Sequence, residues 1–425
     1  MKNPLASSDR YLGELYAMKS TLTFLTALLL TPLTALHGAD NALKPPAPSQ
    51  SSASTPVVRQ HVAITQVTQP GGEHIDRFPA LWRRKDGSLL LIYQEITGKD
   101  RFKGEGCHVL TASTDEGKTW HEERRALRWT KGVENASAGR AESPGDYCRF
   151  SALPDGRLVY HGQSADGGLI YLSKEEFRDD PSAWQVVRAS YPANRADRPT
   201  KGACFYHLRV LPDGTWAMFA TWLQRFDDAK GASTDYRRGL NRGGLDFLVS
   251  RDEGRTWSVR STLYEGTWFP YLLCEPTWTI GADGSFRVFT REDMGHGPGV
   301  EFRSSDQGRT WTSAPMCFMG HHIYAEQLPG GKGLLACYRV PHYIHFPAVG
   351  AWWDDGSPCG RFLHLDNVST SNRYQADMSQ WVAMPDGTYL CAYSLPPAFR
   401  QEVRVRLARF SLEEFTAPGI LTTSR

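Results

Sequence analysis

The sequence predicts an all-β chain folded as a six-bladed β-propeller of four-stranded antiparallel blades. A strand–turn–strand unit recurs six times, and an eight-residue phrase is written three times between these units. Helical periodicity is nearly absent, with only SKEEFRDDPSAW at 173–184 suggesting a short helix.

The first repeat is a tight turn between apolar, strand-like runs. It occurs in RRKDGSLLLIYQ (turn at 86–87), SALPDGRLVYHG (155–156) and RVLPDGTWAMFA (213–214). It returns in TIGADGSFRVFT (283–284), QLPGGKGLLACYR (330–331) and VAMPDGTYLCAYS (386–387). Asp-Gly and Gly-Gly supply the positive φ that a hairpin turn needs, and the flanking runs have strand composition. Residues 57–425 shared among six such units leave about 61 each, room for a four-stranded blade with loops.

The second repeat reads STDEGKTW at 113–120, SRDEGRTW at 250–257 and SSDQGRTW at 304–311. Its Asp can accept bonds from turn amides and its Gly can take a left-handed φ, so each copy suits an outer hairpin turn. WWDDGSP at 352–358 is a degenerate fourth copy that keeps Asp354 and Gly356. Circular closure removes exposed sheet edges. The regular hairpin count favours that solution over a pair of β-sandwiches.

Composition narrows the function. Lys plus Arg (48) nearly balances Asp plus Glu (46), so no net field points to nucleic acid or an anionic membrane. Residues 1–39 contain the apolar run TLTFLTALLLTPLTAL after Met18-Lys19, which describes a secretion signal and places the protein outside the cytoplasm, secreted or periplasmic. Met18 is an alternative start. Pro32 argues against a stable spanning helix, so no membrane span is expected after processing. Residues 40–56, rich in Pro, Ser and Ala, read as a flexible linker, and the folded domain is expected over 57–425. The eight cysteines form no CxxC pair, so zinc spacing is absent; several lie in strand-like runs as small buried thiols.

In a propeller the innermost strands converge on the axis. Chemistry is therefore expected from residues six to nine positions before each inner turn: Arg77, Tyr147 with Arg149, Phe205 with His207, Glu275, His321 with His322, and Met378 with Gln380. Polar groups where buried strands favour Val or Ile point to a site. Glu275 and Arg291 stand sixteen residues apart across the turn at 283–284, so antiparallel pairing brings them to the same end of one blade.

The octet Ser-x-Asp-x-Gly-x-Thr-Trp resembles the Asp box of the sialidase (neuraminidase) superfamily, and the likeness spans the chain after the linker. IDRFPAL at 75–81 resembles the family's Arg-Ile-Pro segment, which makes Arg77 the first of three arginines clamping a substrate carboxylate. A guanidinium fork suits that task because it donates two parallel bonds and stays charged. By the same resemblance Glu275 is the partner base, Arg291 the second clamp arginine, and Asp100, in the loop ITGKDRFKGEG, the acid/base, with Glu95 and Glu105 as alternatives.

Two family features do not transfer. The nearest arginine to the third clamp position is Arg339, displaced by several residues, and the catalytic tyrosine position holds Met378. Either a tyrosine arrives from elsewhere (Tyr324, Tyr343 or Tyr374) or water attacks directly and the stereochemistry inverts. His321, His322, His342 and His345 cluster near the expected site. They are either satisfied structural histidines or groups such as His322 and His345 that replace the arginine or act as general base. Gln380 is a further expected substrate contact. The expectation is thus a secreted, monomeric exo-α-sialidase acting on sialylated glycans or glycoproteins, with no metal or organic cofactor. The alternatives are a hydrolase of another acidic or sulfated glycan and a non-catalytic glycan-binding propeller.

Overall fold

Runs such as Leu89–Tyr93, Leu334–Arg339 and Tyr389–Leu395 are buried at every position. Strands that bury both faces need apolar neighbours on both sides, and stacking blades around a ring supplies them. The computed structural model describes residues 62–68, 74–97, 105–129, 150–164, 167–173, 184–189, 193–195, 204–225, 241–266, 273–292, 298–331, 333–339, 348–353, 360–366, 377–395 and 403–415. All belong to one unit, Arg59–Arg425. The expected secretion signal, the linker and residues 174–183 lie outside the described residues.

The fold is a six-bladed β-propeller of four-stranded antiparallel sheets. The first strand, β1 (Ala63–Gln66), belongs to the last blade. Blade 1 holds β2 (His74–Arg83), β3 (Leu89–Thr97), β4 (Glu105–Ser113) and β5 (His121–Trp129). Blade 2 holds β6 (Phe150–Ala152), β7 (Leu158–Ser164), β8 (Gly167–Ser173) and β9 (Trp184–Ala189). Blade 3 holds β10 (Cys204–Val210), β11 (Trp216–Arg225), β12 (Asn241–Ser250) and β13 (Ser258–Gly266). Blade 4 holds β14 (Leu273–Ile280), β15 (Phe286–Glu292), β16 (Val300–Ser304) and β17 (Thr312–Pro315). Blade 5 holds β18 (His321–Gln327), β19 (Leu334–Arg339), β20 (Ala348–Trp353) and β21 (Arg361–Asp366). Blade 6 holds β22 (Asp377–Ala383), β23 (Tyr389–Leu395), β24 (Arg404–Phe410) and β1.

Six apolar clusters hold the ring, one at each interface between neighbouring blades. Between blades 3 and 4 the fully buried Trp278 meets Phe219, Phe247 and Phe286 edge-on, with ring centroids 5.5, 5.7 and 5.3 Å away. Its indole donates to the His207 carbonyl at 2.6 Å, so the polar edge is satisfied inside the interface. The ring closes where β1 pairs with β24, from Ala63 opposite Arg409 to Gln66 opposite Arg406. Across the same seam Asp76 N donates to Val403 O (3.1 Å), Arg404 Nη1 to His74 O (2.6 Å) and Val405 N to Thr68 Oγ1 (3.1 Å).

The three complete octets form the turns between the third and fourth strands of blades 1, 3 and 4, far from the axis. In the second copy Asp252 accepts from Thr256 N (2.8 Å), Thr256 Oγ1 (2.6 Å) and Ser250 Oγ (2.7 Å). Trp257 Nε1 then donates to Gly254 O at 2.9 Å and folds the indole over the turn. These bonds favour the ionised carboxylate and lower the Asp252 pKa from its ordinary 3.8 to about 2, the Thr256 hydroxyl contributing most. A depressed pKa stabilises the fold above the unfolded value, and the gain is lost as pH falls through the folded one. The Asp252→Asn variant should therefore melt below the wild type at neutral pH. The gap should narrow from 3.8 downwards and close near pH 2, as read by thermal melts at stepped pH.

Candidate active site

In five of the six blades the described part of the inner strand carries an irregularity in its pairing with the second strand. The register shifts between Arg77 and Ala80, Tyr206 and Arg209, Cys274 and Thr277, His321 and Tyr324, and Asp377 and Gln380. In four of these bulges a non-glycine residue takes a left-handed φ: Phe78 (50°), His207 (44°), Glu275 (48°) and His322 (50°). Such a bulge breaks the in–out alternation of the strand and re-aims one side chain, at a conformational cost that surrounding structure must offset. Among the described residues the other non-glycine positions with positive φ, Glu116, Glu253 and Gln307, sit in the octet turns.

The bulge residues build the site. Arg291 Nη1 donates to Glu275 Oε1 at 2.8 Å, joining the first two strands of blade 4. His322 Nδ1 lies 3.4 Å from the other oxygen, Glu275 Oε2. The Phe78 ring meets the His322 imidazole edge-on with centroids 6.0 Å apart, and the Arg77 guanidinium lies 4.3 Å from the centre of the Phe78 ring. Arg77, Glu275, His322 and Arg339 are all buried. One chain of contacts therefore links Arg77 of blade 1, through Phe78 and His322, to Glu275 and Arg291 of blade 4.

Arg339 holds in blade 5 the place that Arg291 holds in blade 4. It pairs with His321 as Arg291 pairs with Cys274, one residue before the left-handed position in each blade. Blades 4 and 5 thus present arginines at equivalent places. Both act on the same group: burial first, then Arg291 and Arg339, push the His321 imidazole far below its usual range and hold it neutral.

Gln380 is engaged between blades. Its amide donates to Leu81 O of blade 1 at 2.8 Å, and it hydrogen-bonds the Tyr324 side chain. Burial raises the Tyr324 hydroxyl above its ordinary value, and Glu326 adds to the effect, which disfavours a tyrosinate there. Beside it Arg209 pairs with Glu326 and donates to Trp278 O (2.9 Å), a polar plug drawn from blades 3, 4 and 5. Glu95 is held by Arg125 at 2.5 Å. Asp100, Tyr147, Arg149, His342, Tyr343, His345, Asp354, Gly356 and Tyr374 lie outside the described residues, as do the side chains of Glu105, Asp377 and Met378.

Sequence reasoning passed over Phe78. The signal was spacing: Phe78, Glu275, His322 and Met378 each stand nine residues before a turn glycine (Gly87, Gly284, Gly331 and Gly387). One cluster has metal-ligand chemistry, since His74, Asp76 and Glu95 bring donor atoms within 4.8 Å of one another. Two guanidiniums already occupy that space, Arg404 at 3.8 Å from Asp76 and Arg125 on Glu95. Their charge opposes a cation, and the cluster reads as an ion-pair network at the blade 6–blade 1 seam.

The left-handed φ at Glu275 makes a stability prediction. Glu275→Ala and Glu275→Gly both remove the carboxylate, but only glycine adopts φ 48° freely. The glycine variant should be the more stable of the two by about 1 kcal/mol in denaturant titrations.

No protein-family model matches the sequence, and neither does any curated protein. Solved structures do match. A Dyadobacter fermentans protein of unknown function superimposes with a TM-score of 0.63 at 16% identity, over 82% of this chain and 98% of that one. A Penicillium chrysogenum α-L-arabinanase complexed with arabinobiose gives 0.52 at 13%, over 83% and 99%. A Trypanosoma rangeli sialidase in complex with sialic acid gives 0.52 at 14%, over 84% of this chain and 60% of the sialidase. The chain therefore shares its six-bladed fold with structures that include sialidases and an arabinanase.

Proposed function

We propose that the protein is a glycoside hydrolase that works outside the cytoplasm and removes a terminal, α-linked acidic sugar from a glycan, with sialic acid as its first substrate. The observation that carries this reading is the presence of Arg77, Glu275, Arg291 and Arg339 on the first two strands of blades 1, 4 and 5. Cations that stay ionised when buried suit a sugar carboxylate, which they can meet with paired, charge-assisted bonds. A lectin needs no acid in the same strand, and Glu275 is held there by Arg291.

The arginines hold the carboxylate of the sugar, Glu275 assists attack at the anomeric carbon, and Asp100 protonates the leaving oxygen. Sialidases depart from the usual pair of catalytic carboxylates by employing a tyrosine. Met378 stands at that position here and favours a second reading, a hydrolase for another acidic sugar on the same scaffold.

The test is turnover of a fluorogenic α-sialoside, run beside the matching α-linked uronide. Glu275→Gln should lower kcat by about 10²–10⁴-fold. Arg77→Ala should lower kcat/KM by roughly 10–100-fold, the size of a lost charged hydrogen bond. Wild type silent on both substrates would refute the proposal; turnover untouched by both substitutions would refute the residue assignment.

A further inference from the structure

Building on the glycosidase reading, we propose that His322, backed by Glu275, is the general base that delivers water to the anomeric carbon, and that the sugar leaves with inverted configuration. Four observations bear on it. His322 and Glu275 occupy the same left-handed bulge position in adjacent blades, at φ 50° and 48°. A β-bulge that forces a non-glycine residue into this region is a strained device, and strain of this kind collects where a side chain must be aimed.

The contact is specific. Glu275 offers Oε2 to His322 Nδ1 at 3.4 Å while its Oε1 is tied to Arg291 at 2.8 Å. At that distance the carboxylate acts on the ring through its charge rather than as a hydrogen-bond acceptor, and its field favours the tautomer that carries its proton on Nδ1. That leaves the Nε2 lone pair as the basic site. Phe78 braces the imidazole edge-on at 6.0 Å and sets its orientation.

The neighbour supplies a contrast. His321 pairs across the strand with Arg339 and lies in the field of two guanidiniums. The charged and titratable groups around His322 include Glu275 on β14, His321 on its own strand and, through Phe78, Arg77 on β2, while Arg291 and Arg339 act on His321. The buried His322 side chain keeps 7% of its surface exposed.

The residue at the blade 6 bulge completes the argument. Met378, nine residues before Gly387, has a thioether with no proton to give up and cannot form a tyrosinate-like nucleophile. The step then balances without a covalent intermediate. Water oxygen bonds to the anomeric carbon as one of its protons passes to His322 Nε2. The glycosidic C–O bond breaks, and the leaving oxygen takes a proton from the acid. Solvent then carries the proton from His322 back to the acid.

The experiment uses the full chain with an α-linked fluorogenic acidic glycoside. Proton NMR in the first minutes should show the anomer opposite to that of the substrate. His322→Asn and His322→Gln should lose at least a hundredfold in kcat with KM nearly unchanged, and their pH profiles should lose the acidic limb. Azide should restore turnover of His322→Ala more than tenfold by attacking in place of water, giving a glycosyl azide of inverted configuration. Thermal melts verify that each variant is folded. First release of the retained anomer by an active wild type overturns the inference alone, as do His322 variants within threefold of wild type or a failure of azide rescue. Absence of wild-type turnover on every acidic glycoside overturns the glycosidase reading and this inference together.

Discussion

The site depends on one extra residue in the inner strand. A regular β-strand alternates its side chains, so an unbroken inner strand could offer the axis only every second residue. The bulge breaks that alternation in five blades, at the same depth in blades 1, 4, 5 and 6 and nearer the turn in blade 3. In blades 4 and 5 the residue it turns out is Glu275 or His322, and the residue before it pairs with Arg291 or Arg339. An acid, an imidazole and two guanidiniums follow from one backbone irregularity written twice. Phe78 repeats it in blade 1 and seats Arg77 beside its ring.

Such a cluster is expensive to bury, because ionised groups lose their hydration and strained backbone adds its own cost. The ring offsets this with six separate apolar interfaces rather than one core. The β1–β24 pairing and the Arg404, Asp76 and Thr68 bonds fasten the first blade to the last. The octets add rigidity at the rim, where Asp115, Asp252 and Asp306 each tie a turn through a threonine and a serine. Chemistry at the axis and repetition at the rim are therefore separate tasks.

The fold was legible because turns and octets depend on residue types with narrow conformational roles: Gly for positive φ, Asp for amide acceptance, Trp for covering a turn. The Glu275–Arg291 pair was legible from spacing across one hairpin. The equivalence of Arg339 to Arg291 was not legible from distance along the chain, because position in a sheet is set by cross-strand pairing, here with His321 and Cys274. Phe78 left no trace in residue type, since nothing about phenylalanine announces a left-handed φ. Gln380 shows the converse: a polar residue on an inner strand can serve the backbone of the next blade. The short, half-polar AITQ of β1 gave no sign that it would close the ring.

On this reading the arginines on the first two strands of blades 1, 4 and 5 recognise a carboxylate. Calorimetric titration of the protein with N-acetylneuraminic acid and, separately, with its methyl ester tests it most directly, because the two ligands differ in that one charge. The account predicts measurable binding of the acid, at least tenfold weaker binding of the ester, and loss of the difference in Arg291→Ala. Equal affinity for acid and ester would contradict it.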